Sequence, residues 1–251
     1  MEFKQTRNSQ MHEFSDESMV YFSHCDRNKK MSLNEVLKIT SDIAVEDFRQ
    51  QGLSTDFLLE NKIAILVSRL SLRFHRMPRE NEKITLTTTE EKSQALQFIR
   101  SYEITGEDGE KLVSGLSSWL LVNTETRRLM PIKYFTLKEL SQIEKEHDCL
   151  PADKITVPEN MEKIDERTIR FSDLDSNGHT NNARYAAFIM DALPPEYQDK
   201  VWKDFRINFS QEAILGDKLE IWWKKDDEAK KISILGKTEK ASSFEAELYF
   251  S

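Results

Sequence analysis

"MSLNEVLKITSDIAVEDFRQQG", residues 31–52, carries the strongest helix signal in the first half of the chain, and what surrounds it decides the fold. Leu33, Val36, Leu37, Thr40, Ile43 and Ala44 recur at helical spacing, so one face of the helix is apolar. Ser32 with Glu35 three residues on has the pattern of a capping box, and Gly52 suits a helix stop. A short strand candidate, "SMVYFSH" (18–24), precedes the helix. Four strand-like runs follow it: "IAILVSRLSLRF", "EKITLTTTEE", "ALQFIRSYEIT" and "KLVSGLSSWLLVN". "GEDG" (106–109) joins the last two as a hairpin turn.

The same order recurs downstream. "ERTIRF" reads as a strand, and "TNNARYAAFIMDAL" as a helix capped by Thr180 or Asn181 and stopped by Pro194 and Pro195. "VWKDFRINFS", "DKLEIWWKK", "KKISILGK" and "SFEAELYF" then read as four strands. One long helix followed by an antiparallel meander is the hotdog arrangement, and two copies make a double hotdog of the α+β class. The expected division is a hotdog domain at 1–135, a linker at 136–162 and a second hotdog domain at 163–251. Within the linker, "KELSQIEKEHD" offers at most one short helix.

A chain of 251 residues is long enough to bury a substantial core. Its net charge of −8 argues against general nucleic-acid binding, which needs a basic face. Two cysteines, Cys25 and Cys149, argue against a disulfide framework, and a reduced cytoplasmic setting is expected. The sequence contains no apolar run long enough for a membrane span, and the N-terminus lacks the apolar core of a secretory signal.

"FSDLDSNGHTNNARYAAF" (171–188) concentrates polar residues just before the second helix. Asp175, Asn177 and His179 alternate, and in an extended segment they would point the same way. Gly178 permits a tight turn there. A carboxylate, an amide and an imidazole beside a helix N-terminus are suited to acyl transfer, because free N–H groups there can stabilise an oxyanion. The same residue types also crowd before helices simply to cap and turn, so spacing alone leaves both readings open. Glu212, in "RINFSQEAILGDKL", offers a second carboxylate at a strand end, where a bend could turn it toward the helix start. A metal site is not expected, since no His/Cys cluster accompanies Asp175 and His179.

Three stretches resemble the acyl-acyl-carrier-protein thioesterases of plant plastids and bacteria: "SDLDSNGHTNNARY", "SSWLLVNTETRRLMPI" (117–132) and the "QEA" of 211–213. The resemblance covers about residues 14–250. It implies Asp175, Asn177, His179 and Glu212 as catalytic residues, with Asp175 as nucleophile or base toward water. It implies hydrolysis of a thioester on the phosphopantetheine arm of acyl carrier protein, with no cofactor. Many plant members have Cys after the downstream Glu; here it is Ala213, so no thiol at that position can be essential. The first half would hold the acyl chain, with Ile43, Ala44, Val67 and Leu70 as candidate lining, and the polar triad is expected to be missing from its own "DRNKKMSLNE".

An acidic enzyme with an acidic carrier protein as partner needs a local basic patch. Arg69, Arg73, Arg76 and Arg79 form one candidate, and Arg127, Arg128, Lys133 and Lys138 another, with Lys203 and Arg206 nearby. An acyl-coenzyme A hydrolase, a hotdog dehydratase and a non-catalytic acyl-binding protein remain alternatives. Both a monomer and a homodimer are compatible with two fused hotdogs.

Overall fold

The computed structural model describes residues 3–251. Its first half runs β1 (Gln5–Asn8), β2 (Glu13–Met19), α1 (Leu33–Gln50), α2 (Thr55–Glu60), β3 (Ile63–Phe74), β4 (Lys83–Glu91), β5 (Gln97–Gly106), β6 (Lys111–Asn123) and the short β7 (Arg128–Leu129). The second half runs β8 (Glu162–Thr168), α3 (Asn182–Ala192), α4 (Pro195–Gln198), β9 (Trp202–Phe209), β10 (Lys218–Asp226), β11 (Lys231–Lys237) and β12 (Ser242–Phe250). The strands form one antiparallel sheet in the order β1-β2-β4-β5-β6-β3-β9-β12-β11-β10-β8, with β7 beside β6. Apart from β1 and β7 the order is palindromic about the β3–β9 seam. This is a double hotdog: two equivalent halves, each a long helix wrapped by its own strands.

The helices form where the apolar periodicity demands. α1 buries Leu33, Val36, Leu37, Thr40, Ile43, Ala44 and Phe48, and α3 buries Ala183, Tyr185, Ala186, Phe188 and Ile189. The two helices pack on each other, and both faces join one hydrophobic core that spans the two halves. Burying such side chains supplies ~1.5–3 kcal/mol each, which is why the pattern fixes the fold. Along β9, Phe205 and Ile207 are buried and Phe209 packs against the core. Adjacent Trp222 and Trp223 part company as a strand requires. Trp223 meets Tyr197 edge-on, while Lys237 lies over Trp222.

Several local expectations are corrected. Residues 22–24 and 171–173 are single 3-10 turns rather than strand. Ser32 is the N-cap of α1 but forms no capping box; its hydroxyl donates to the His24 carbonyl at 3.1 Å instead. The segment between the halves contains no helix in "KELSQIEKEHD". Its side chains are engaged by the sheet: Lys145 donates to Glu13 and Thr89, both at 2.8 Å, and His147 Nε2 lies 3.0 Å from Glu91. Ile155 N–H then donates to Asn208 on β9. Side chains paired this way give the segment an extended path, so a local helix never forms.

Candidate active site

The polar loop before α3 is a closed turn, not an extended segment. Asp175 Oδ1 accepts from the N–H groups of Asn177 (2.8 Å) and His179 (3.2 Å). Asp175 N–H donates to the His179 carbonyl at 2.8 Å. Gly178 closes the turn at φ 81°, a left-handed conformation that costs glycine nothing. The three polar side chains have different surroundings: one carboxylate oxygen of Asp175 faces its own backbone, Asn177 is exposed, and His179 is half-buried.

His179 meets Glu212. Its Nε2 lies 3.2 Å from Glu212 Oε2, with both side chains partly exposed. The bend after β9 brings them together, because Thr180 N–H donates to the Ala213 carbonyl at 3.0 Å. Asn181 is the N-cap of α3, its side chain accepting from Ala183 N–H at 2.9 Å. Asp173, buried in the preceding 3-10 turn, accepts from Arg170 N–H and from Arg184, and its carbonyl accepts from Asn181 N–H. Among the described residues the N–H of Asn182, the first residue of α3, has no hydrogen-bond partner. That leaves one free donor at the positive end of the helix.

Asn182 also lines a narrow cleft with Thr40, Val67, Leu70, Trp119 and Phe209. Its free volume is only about 20 Å³, so a chain enters by moving lining side chains. Tyr102 and Ser117 border it, and Ser117 Oγ accepts from Trp119 Nε1 at 2.7 Å. Of the four residues expected to line an acyl pocket, the structure brings Val67 and Leu70 to this cleft. Ile43 instead borders a separate cavity with Phe14, Met31 and Leu86, and Ala44 is fully buried in the core.

The first half closes the same loop with two of the three polar residues, so the full triad is absent there while the turn itself is kept. Asp26 Oδ1 accepts from the N–H groups of Asn28 (2.8 Å) and Lys30 (3.2 Å), and Lys29 takes the left-handed turn at φ 56°. Met31 N–H donates to the Pro78 carbonyl as Thr180 N–H does to Ala213. Asp175 and Asn177 thus have counterparts in Asp26 and Asn28. His179 and Glu212 do not: Lys30 and Met77 hold their places. Setting "DSNGHTNNARY" against "DRNKKMSLNEV" in the sequence displays the two retained residues. Asn28 Nδ2 and Arg27 bind Asp199, beside α4 in the other half, at 3.0 and 2.7 Å.

Among the described residues no cluster of three or more metal-ligating side chains occurs, and no helix is long and apolar enough to cross a membrane. Both cysteines are free. Burial pushes the Cys149 thiol up to about 11, which leaves it protonated and unreactive near neutrality. Four of the ten candidate docking cations are engaged internally: Arg73 with Asp204, Arg76 with Glu82 and Glu110, Lys138 with Glu90, and Arg206 with Glu247. Among the described residues Arg69, Arg79, Arg127, Arg128, Lys133 and Lys203 have no ion-pair partner.

Two family models match the chain: the acyl-ACP thioesterase N-terminal domain over residues 11–140 and the C-terminal domain over 157–247. The chloroplastic acyl-acyl-carrier-protein hydrolase FATB2 of Cuphea viscosissima is 25% identical over 189 residues, covering 67% of this chain and 44% of that protein. A chloroplastic palmitoyl-acyl carrier protein thioesterase of Cuphea hookeriana matches to the same extent. The chain therefore spans less than half the length of these curated relatives. Among solved structures, an acyl-ACP thioesterase of Bacteroides thetaiotaomicron superposes with a TM-score of 0.83 at 23% identity, covering 98% of this chain and 100% of that one. The 12:0-ACP thioesterase of Umbellularia californica gives 0.76 at 17% identity, covering 95% and 97%. At these identities the structures establish the shared double-hotdog fold.

Proposed function

The chain belongs to the acyl-ACP thioesterase family, and from that premise we propose that it hydrolyses acyl-acyl carrier protein to a free fatty acid. The observation that carries this reading is the His179–Glu212 pair, 3.2 Å apart, just ahead of the helix start at Asn182, which lines the Val67–Leu70 cleft. The acyl chain enters that cleft, and the thioester carbonyl lies at the N-terminus of α3. There the free Asn182 N–H stabilises the oxyanion. Glu212 holds the Nε2–H tautomer of His179, leaving Nδ1 to take a proton from water. The water oxygen bonds to the carbonyl carbon, the carbon–sulfur bond breaks, and the proton passes to the departing phosphopantetheine thiolate. Asn177 orients the substrate at the loop's exposed side. Asp175 has Oδ1 committed to the loop, so its other oxygen is the one available to orient the water or to attack.

Acyl carrier protein as partner is supported by the unpaired cations Arg127, Arg128 and Lys133 around β7. β7 pairs with the end of β6, which pairs with the start of β3, the strand that supplies Val67. The reaction belongs in the cytoplasm on this reading, a setting the two free cysteines support.

Thiol release from acyl-carrier-protein thioesters of graded length, beside the matching coenzyme A thioesters, tests the proposal. Glu212→Gln and His179→Ala should each lose about 100-fold or more in kcat, the usual contribution of a general base. Arg128→Glu should raise KM for the carrier-protein substrate alone. Single turnover in isotope-labelled water separates the two roles of Asp175, since only an attacking Asp175 acquires label. Wild-type protein that binds acyl chains without releasing thiol would overturn the proposal.

A further inference from the structure

The comparison of the two loops isolates what the second half alone possesses. In both halves a backbone hydrogen bond joins the helix entry to the bend after the seam strand: Met31 to Pro78, and Thr180 to Ala213. Only the second half adds side chains to it. The Thr180 hydroxyl also donates to the Ala213 carbonyl, at 2.8 Å. Ala213 N–H donates to the Tyr185 hydroxyl oxygen at 3.3 Å. In the first half none of this is chemically possible. Met31 has no hydroxyl, Pro78 has no N–H, and Val36 occupies the helix position of Tyr185.

The first half forms its bend without these hydroxyls, so the fold does not require them. All three members of the second-half arrangement are buried: Thr180 is 4% exposed, Tyr185 2% and Ala213 0%. Placing two hydroxyls there is costly unless each is hydrogen-bonded, and simple apolar packing would serve stability as well. The Tyr185 ring is wedged beside Phe188, Phe209 and Phe244, so its hydroxyl has little freedom. Burial also pushes the Tyr185 phenol up, keeping it protonated.

What the arrangement fixes is the backbone on both sides of Ala213, the residue that follows Glu212. Among the described residues the Glu212 carboxylate has only His179 as a partner, and its side chain is 42% exposed. A carboxylate in that setting would otherwise swing into solvent. We propose that Thr180 and Tyr185 are positioning residues that clasp Ala213 by both its polar groups, and so hold Glu212 against His179 for the reaction. The halves differ in a concerted way on this view: the half with the His–Glu pair has the clasp, and the half with Lys30 and Met77 lacks it. The inference rests on the reading of His179 and Glu212 as the base pair.

The test is steady-state hydrolysis of an acyl-carrier-protein thioester by the full chain. Tyr185→Phe and Thr180→Val should each lower kcat about tenfold, with KM within about twofold, the pattern of a misplaced group acting after binding. Thr180→Ser keeps the hydroxyl and should restore most of the rate. Combined with Glu212→Gln, neither substitution should slow the enzyme further, because the group it positions is already gone. Circular dichroism of each variant should match wild type, as the first half predicts. Full turnover in Tyr185→Phe and Thr180→Val, or an equal loss in the Glu212→Gln background, would overturn the clasp. A slow Glu212→Gln beside a full-rate Tyr185→Phe removes the clasp alone; a full-rate Glu212→Gln removes the base-pair reading beneath it as well.

Discussion

Asp175 and Asp26 do the same structural work, and this gives the protein an internal control. Each carboxylate pins two backbone N–H groups at matching distances of 2.8 and 3.2 Å. Replacing either by alanine removes that pin, at a cost of about 1 kcal/mol. The two substitutions should therefore lower the melting temperature alike. They should differ in turnover: Asp26→Ala should retain most of it, whereas Asp175→Ala should lose about 100-fold or more if its second oxygen takes part in chemistry. Paired thermal melts and thiol-release assays read both quantities. Equal turnover in the two variants would reduce Asp175 to a loop pin. The alternation of Asp175, Asn177 and His179 suggested a common direction because it assumed extended backbone. A carboxylate two residues before a free N–H prefers to fold back onto it, and that local bond decided the conformation.

At the scale of elements, what was legible and what was not divides along physical lines. α1 and the strands β3 and β6 are long and patterned, so burial alone determined them. The 3-10 turns at 22–24 and 171–173 have exposed, strand-like residues such as Phe22 and Phe171, both 83% exposed, and nothing local marks them. The pairing of β3 with β9 joins residues 131 apart at Arg73 and Asp204, and no local pattern encodes such a distance. The cleft proposed for the acyl chain has the same character. Val67 and Leu70 on β3 meet Phe209 on β9 and Asn182 on α3 only through that seam. Ile43 has the right periodicity but borders another cavity, since the apolar face of α1 is wide enough to meet β2 and β4 as well. The cleft leads to a prediction. Val67→Phe narrows an already tight channel, and each methylene denied burial forfeits ~0.8 kcal/mol. Specificity should move toward shorter acyl chains, by about fourfold in kcat/KM for each excluded methylene. Graded thioesters measure this; an unchanged profile would place the acyl chain elsewhere.

Across the whole molecule, the palindromic sheet leaves the two halves matched in their long helices and main strands and divided in chemistry. The second half carries the His–Glu pair, while the first half carries a buried ion cluster. Asp47 on α1, 1% exposed, accepts from Arg100 on β5 (2.7 Å) and from Arg7 on β1 (2.5 Å). Arg100 also donates to Thr88 and faces Glu90, which Lys138 engages. Burial alone would raise the Asp47 carboxyl, but the charges and hydrogen bonds of Arg100 and Arg7 outweigh it and hold Asp47 below the usual carboxylate range. A depressed folded-state value contributes stability that is fully present above the unfolded value of about 3.9 and is lost as pH falls through the lower folded one. Arg100→Met would leave the buried Asp47 with Arg7 as its one charged partner beside the Gln51 amide, costing about 3–5 kcal/mol near neutrality. The deficit should shrink in acid, because Asp47 then becomes neutral in both proteins and no longer needs the guanidinium. Urea unfolding at pH 7 and at successive steps below pH ~4 measures the gap between wild type and variant. A gap that stays constant would mean that Arg100 stabilises the first half by packing over Phe48, 4.8 Å away, rather than through the charge on Asp47.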